Sequence, residues 1–337
     1  MATMRDIAER ANVSTSVVSR ILSQDGTLSV AESTRERVLD AANELNYQVK
    51  KKVKRGKQIV GQLGIVLFHS QDHSRERDLE DPYFPAIRRG IELECQKRGL
   101  PHPVTQYWSS EGLVPNEQLR ACEAIIFIGV EDMNATKLLP SDQRHMFVDY
   151  APEPDKYSSI VVNFQSATET VVNHLLGLGH RQIGLIVGSH TYGVDARQAC
   201  FESILGRQGL FRPEAVFVTD WTLNGGYRAM MEALAKPNVP SAFFVASDPM
   251  AIGAIKALQD AGKRVPEDVA IVGFDDIEMA GFVTPALTTV RINTELMGRL
   301  AVRLCDAPLD EVTPLTIVLP FELVVRDSCG TKSNVSQ

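Results

Sequence analysis

The sequence predicts an α/β protein in two unlike parts: a small N-terminal helix-turn-helix unit and a large body of two doubly wound lobes. Three observations carry this. Two short helical patterns joined by a tight turn lie within the first 22 residues, a basic run follows residue 49, and from residue 61 onward short apolar runs alternate with helical patterns. A chain of 337 residues is long enough for two or three domains with a substantial core.

In the head, 1–57, Ile7, Ala8 and Ala11 form an apolar stripe on the first helix, and Val18, Ile21 and Leu22 repeat that spacing on the second. Asn12 suits the left-handed turn between them, and Ser14 can cap the next helix. A third segment, Glu32 to Leu45, sets Val38, Ala42 and Leu45 on one face, so three helices can enclose a minimal core. Thr15, Ser16, Ser19 and Arg20 then face outward at the end of the second helix, as short hydroxyls and one long cation able to meet a major groove. The same pattern also fits an ordinary solvated helix pair.

Lys50, Lys51, Lys52, Lys54 and Arg55 with Lys57 make six basic residues in eight, a run that reads as a solvated linker or, after a helix-turn-helix, as a phosphate-tracking segment. Residues 1–57 carry 11 Lys and Arg against 7 Asp and Glu, a balance of +4, which leaves −11 on the remainder of a chain whose total is −7. A basic end on an acidic body confines contact with nucleic acid to that end.

In the body, 58–330, the runs GQLGIVLF, AIIFIG, MFVDY, SIVVNF, QIGLIVG, AVFVTD, AFFVAS and VAIVGFDD alternate with helical patterns, as βαβ units around parallel sheets do. About ten strand signals exceed one comfortable sheet, so two lobes are expected, with ligands gathered at the carboxyl ends of their strands. Those ends hold Asp149, Trp221, Ser247, Asp248 and Asp275, with Arg197 in the first turn of a helix near another. One cation, several carboxylates and an indole suit a sugar, whose hydroxyls pair with the charged groups while an aromatic face covers its apolar face. Singly, each residue has a plainer reading: Asp149, Asp248 and Asp275 as helix caps, Trp221 as core.

Other classes are excluded or disfavoured. There is no G-x-S-x-G, no P-loop, no G-x-G-x-x-G after a strand and no H-E-x-x-H spacing, so neither catalysis nor a metal or cofactor is expected. Five cysteines without a C-x-x-C pair suit reduced thiols. The charged start MATMRDIAER and the lack of any apolar window of about 18 residues predict a cytoplasmic protein without a membrane partner.

MRDIAERANVSTSVVSRIL followed by VAESTRERVLDAANELNY resembles the DNA-binding head of the LacI/GalR family of bacterial repressors. LGHRQIGLIVG, VASDPMAIGAIKAL, VPEDVAIVGFDD and TPALTTVRIN are similar to that family's ordered landmarks, so the resemblance spans nearly the whole chain. It implies a body like the periplasmic sugar-binding proteins, with three crossovers between a lobe of residues 60–161 and 292–320 and one of 162–291 and 321–330, then a tail at 331–337. It places Thr15 and Ser16 at base-reading positions, Arg20 in the Ser-Arg pair and Ser14 on phosphate, and it sets Tyr83, Phe84, Asp149, Arg197, Trp221, Ser247, Asp248 and Asp275 in the ligand pocket. The chain departs from the family in having Val17 for Thr, Cys200 for Gly, Ser247 for Asn, and a Lys-rich hinge without leucine, where Val53 is the apolar candidate for a minor-groove wedge.

The resemblance implies a sequence-specific repressor, a homodimer on a palindromic operator of double-stranded DNA, controlled by a small sugar. A purine-like corepressor would use the same scaffold. Trp221 follows a strand end and precedes Gly225-Gly226, which suggests an indole that protrudes; with DPYF and VASD it looks like the galactose- and lactose-responsive members. The axial C4 hydroxyl of galactose leaves a continuous C–H face for such a ring, so a galactoside is the expected effector.

Overall fold

The computed structural model describes residues 3–22, 30–45, 61–68, 82–108, 115–130, 134–140, 143–190, 193–306 and 314–330. The chain divides into two compact units, Met1–Arg55 and Gly56–Gln337.

The head holds α1 (Met4–Ala11), α2 (Thr15–Leu22) and α3 (Glu32–Glu44). Thr3 opens α1 through a capping box: its hydroxyl accepts from the Asp6 amide at 3.3 Å, and its own amide donates to Asp6 Oδ2 at 2.7 Å. Asn12 ends the helix at φ 52°, the left-handed turn its side chain tolerates. Ile7, Ala8, Ala11, Val18, Ile21, Val38, Ala41 and Ala42 close over one another as the core, and an Arg10–Glu44 pair at 2.8 Å ties α1 to α3.

In the larger unit, β1 (Leu63–Phe68), β2 (Val104–Trp108), β3 (Ala124–Ile128), β4 (Arg144–Val148), β5 (Ser158–Val162) and β11 (Thr316–Leu319) form one parallel sheet in the order β11-β5-β4-β3-β1-β2. A second parallel sheet, β7-β6-β8-β9, is built from β6 (Ile183–Gly188), β7 (Val216–Thr219), β8 (Ala242–Val245) and β9 (Ala270–Val272). β10 (Thr289–Ile292) and β12 (Phe321–Val324) pair antiparallel. Every residue of β3, β6 and β8 except Gly184 and Gly188 is apolar, and all are buried, because helices cover both faces. The covering helices are α4 (Tyr83–Arg98), α5 (Glu117–Arg120), α6 (Asn134–Lys137), α7 (Phe164–Gly177), α8 (Ala196–Arg207), α9 (Leu223–Leu234), α10 (Asp248–Asp260) and α11 (Thr294–Cys305).

Between β5 and β6, between β10 and β11, and between β11 and β12 the chain passes from one sheet system to the other. α11 returns onto α4, where the helices approach so closely that a Cβ at Gly90 would meet the Glu295 carbonyl and one at Gly298 the Ile87 carbonyl. Nearby, Glu94 is buried with Arg303 at 2.8 Å and Arg98 at 3.0 Å, which hold its carboxyl down at about 2. No helix among the described residues is long and apolar enough to cross a membrane.

Candidate effector site and DNA-binding face

In the head, Ser14, Thr15, Ser16, Ser19 and Arg20 are all exposed, because the α2 stripe of Val18 and Ile21 turns the other way into the core. Ser14 Oγ lies 3.0 Å from Ser16 Oγ and 3.4 Å from the Val17 amide, which it caps. The N-terminal turn of α2 therefore presents hydroxyls outward, and its last turn presents one guanidinium, that of Arg20. Lys50, Lys51, Lys52, Val53, Lys54 and Arg55 lie outside the described residues.

In the body, the carboxyl ends of β4, β6, β7, β8 and β9 supply the strand-end residues. Asp149 follows β4 at φ 77°, and Asp275 and Asp276 follow β9 at φ 112° and φ 54°. Such conformations are costly for a side chain with a Cβ, and they persist where a site over-determines them. Tyr83, at the start of α4, donates to Asp149 Oδ1 at 2.6 Å. Burial and the Asp149 and Asp275 carboxylates hold the Tyr83 phenol well above its ordinary range, so it stays protonated and a donor. Phe84 packs edge-on to Tyr83 at 5.3 Å and covers Gly129.

Arg197 is the hub. Its Nε and Nη2 reach Asp195 Oδ1 and Oδ2 at 2.9 and 2.7 Å, and Nη1 donates to the Ala246 carbonyl at 2.9 Å. Three rings surround the guanidinium, Phe164 and Trp221 at 4.8 Å and Phe274 at 5.2 Å. Burial opposes its charge, but Asp195, then Asp275 and Asp149, more than offset this and keep it ionised. Asp195 caps α8 through the Arg197 amide at 2.7 Å and accepts from His190 Nε2 at 2.7 Å. Although burial works against its charge, Arg197 and His190 hold its carboxyl far below the usual range.

Trp221 differs from its expected projection. The indole lies back over Gly188 at the end of β6, its Nε1 donates to the Ser189 carbonyl at 3.1 Å, and its edge meets the His190 ring at 5.5 Å and 87°. Part of its surface remains exposed.

The neighbours Ser247 and Asp248 have opposite fates. Ser247, only 2% exposed, keeps a buried hydroxyl with no hydrogen-bond partner among the described residues. Asp248 is corrected as a ligand contact: it is fully buried in the second lobe, one oxygen accepting from Thr289 Oγ1 at 2.6 Å and the other from the Ile277 amide at 2.9 Å. Burial pushes its carboxyl up to about 7. Its work is to tie the turn after β9 to β10. Next to it, Asp276 binds Arg326 and Arg291 at 2.6 Å each, and Arg291 reaches Glu322 on β12 at 3.0 Å, so the turn carrying Asp275 is braced on the crossing strands.

Asp195, His190, Phe164 and Phe274 escaped the strand-end reading. SIVVNF ends on Phe164, DARQ begins on Asp195, and His190 and Phe274 each follow a strand by two residues as Trp221 does, so the rule applied to every strand end and helix cap would have reached all four. A separate cavity of about 260 Å3, lined by Gln182, Ile183, Phe217, Lys236 and others, opens at the amino ends of β6 and β7, and none of the strand-end residues borders it.

A helix-turn-helix head joined to a two-lobed, doubly wound body with polar groups gathered at its strand ends defines a DNA-binding, ligand-responsive regulator. Residues 3–49 match the model of the bacterial regulatory proteins of the lacI family, and residues 172–329 match the periplasmic binding protein-like domain. The chain is 39% identical to the HTH-type transcriptional repressor MelR of Bacillus subtilis (strain 168), over 98% of both chains. It is 32% identical to the HTH-type transcriptional regulator GalR of Lacticaseibacillus casei, over 97% of this chain and 99% of that one. Among solved structures it resembles the Lac repressor dimer bound to operator and the anti-inducer ONPF, at 28% identity and TM-score 0.65 over 97% of this chain and 99% of that one. It also resembles the CelR–cellobiose complex, at 26% identity and TM-score 0.67 over 97% and 100%. This chain belongs to the lacI family of transcriptional regulators. Its relatives are regulators and not enzymes.

Proposed function

We propose that the protein is a homodimeric repressor acting on cytoplasmic DNA, whose two heads read a palindromic operator and whose grip is set by a galactoside bound among Tyr83, Phe84, Asp149, Arg197, Trp221, Ser247 and Asp275. The observation that carries the pocket is the Ser247 hydroxyl, buried and without a partner among the described residues, next in the chain to Ala246, whose carbonyl anchors Arg197. A buried hydroxyl left unpaired costs about 1–3 kcal/mol, and a ligand hydroxyl at the end of β8 removes that cost. Asp149 and Asp275 offer acceptors to other sugar hydroxyls, and the exposed part of Trp221 offers an apolar surface to the ring.

The galactoside is supported by the exposed part of that indole, which offers a surface for a continuous C–H face. A single helix-turn-helix contacts too few bases to be specific, and a two-fold operator matches a two-fold dimer. The effector acts by preferring one of two arrangements of the lobes, and a coupling of about 1–3 kcal/mol changes operator affinity by roughly 5–150-fold. The chain has two tryptophans, so the test follows their emission during titration with galactose, lactose, glucose and hypoxanthine, then repeats it with Trp221→Phe. Saturation by a galactoside, with the signal lost in the Phe variant, is expected. A response to glucose or hypoxanthine but to no galactoside overturns the ligand, and a full response in the Phe variant overturns the contact with Trp221.

A further inference from the structure

The cavity at the amino ends of β6 and β7 shares no residue with the strand-end cluster and has a chemistry of its own. We propose that it is a second binding site, for a small aromatic carboxylate, whose ring lies on an apolar floor and whose anion is taken by Arg212 and Lys236. The proposal does not depend on which sugar the effector pocket takes. The floor follows from the path of the chain: Ile183 opens β6, Ala215 ends the short turn Pro213–Ala215 that leads into β7, and Phe217 is the second residue of β7. These three and Pro240 are buried, and neither Pro240 nor Pro237 beside it carries an amide N–H. An apolar cavity of about 150 Å3 takes up benzene, so one of about 260 Å3 has room for a single ring and a short substituent.

The rim carries the charge. The Arg212 side chain is exposed and makes no hydrogen bond or ion pair among the described residues, so its planar fork of donors is open to a carboxylate. Lys236 Nζ stands over the Phe217 ring, 5.8 Å from its centroid, which sets an ammonium directly above the floor. Glu232 lies 3.6 Å from that ammonium, beyond an ordinary hydrogen bond, and both side chains are exposed; the pair is loose enough for a bound anion to share the lysine. Among the described residues lining the cavity, Glu214 is the one acid against these two cations. A ring with a carboxylate therefore uses both floor and rim. A neutral ring uses the floor alone, and an amine meets like charge from two sides.

The test follows the fluorine NMR line of para-fluorophenylacetate titrated with the full-length protein at low salt. Its counterparts are para-fluorophenylacetamide, which is neutral, para-fluorophenethylamine, which is cationic, and trifluoroacetate, an anion without a ring. The aromatic acid should bind with a Kd of about 1 mM, as befits a fragment of its size, and each counterpart about tenfold or more weakly. Arg212→Gln and Lys236→Gln change exposed side chains and leave the fold intact. Each should weaken the acid by about fivefold or more, and Glu214→Gln should tighten it by about twofold or more. Trp221→Phe, at the opposite ends of the strands, should leave its affinity unchanged. No binding of the acid up to about 20 mM overturns the proposal, as does equal or tighter binding of the amide, the amine or trifluoroacetate. An affinity unmoved by both Arg212→Gln and Lys236→Gln overturns it as well. So does an affinity lost in Trp221→Phe, which would place the acid in the effector pocket.

Discussion

Replacing Gly188 with alanine tests the placement of Trp221 without touching the indole. A Cβ on Gly188 would fall inside contact distance of Trp221 Cδ2, Cε2 and Nε1. The ring lies flat against the backbone there, so it cannot escape by a small side-chain rotation and must lift. Lifting breaks the Nε1 bond to the Ser189 carbonyl at 3.1 Å and withdraws the ring from Arg197 at 4.8 Å and His190 at 5.5 Å. Overpacking costs about 1–3 kcal/mol, the hydrogen bond about 1 and the cation–π contact about 0.5–2. The stiffer unfolded chain of an alanine returns about 0.4–1, leaving a net loss of about 1.5–5.5 kcal/mol. Urea unfolding followed by far-ultraviolet circular dichroism measures it, with Trp221→Ala and the double variant completing a cycle, and Trp221 emission in a Trp108→Phe background reports where the ring lies. The coupling should reach about 1 kcal/mol or more, since removing the indole relieves the clash. A Gly188→Ala protein with the parent's midpoint and emission, or strictly additive energies, would refute the placement of the ring.

Two further outcomes are expected. Asp248 is held at about 7 against an ordinary 3.8, so the native state keeps its proton longer than the unfolded chain does. Stability tied to this group is therefore present at low pH and is lost as pH rises through that window, by a few kcal/mol at most. Asp248→Asn can still pair with Thr289 and the Ile277 amide and should flatten the change between about pH 4 and 7; an equal pH slope in parent and variant, read from unfolding midpoints, would remove Asp248 as its source. In the head, exposed Arg20 is expected to read the operator, so Arg20→Ala should weaken operator binding by about 1–3 kcal/mol while sparing non-specific binding. Neutralising Lys50, Lys51, Lys52 and Lys54 should instead lower the salt slope of binding on any DNA. Anisotropy titrations that find both variants equal to the parent would overturn the assignment of that face.

Much of this molecule was legible before folding, and the part that was not has a common cause. Periodicity alone located the head core, since Ile7, Ala11, Val18 and Ile21 need only local helices and one tight turn at Asn12 to meet, and the periodic face of α3 adds Val38. The alternation of buried strands with helices likewise predicted two parallel sheets, because residues apolar on both faces of a strand require cover on both sides. The strand-end rule picked out Asp149, Ser247 and Asp275, which depend mainly on where a strand stops. Side-chain partners were a different matter. Ser247 and Asp248 are adjacent in sequence, yet one keeps a hydroxyl unpaired among the described residues and the other is bound into the second lobe by Thr289, 41 residues away. Trp221 was expected to protrude, but it found a surface on Gly188 of a neighbouring strand that only sheet pairing supplies. The guanidinium of Arg197 gathered rings from residues 164, 221 and 274 and a carbonyl from 246, a set fixed by the order β7-β6-β8-β9. Local sequence decides what each residue can offer, because propensity and periodicity act over a few residues. What each residue meets, and so the geometry of the candidate site, is decided by long-range packing that brings distant strand ends together.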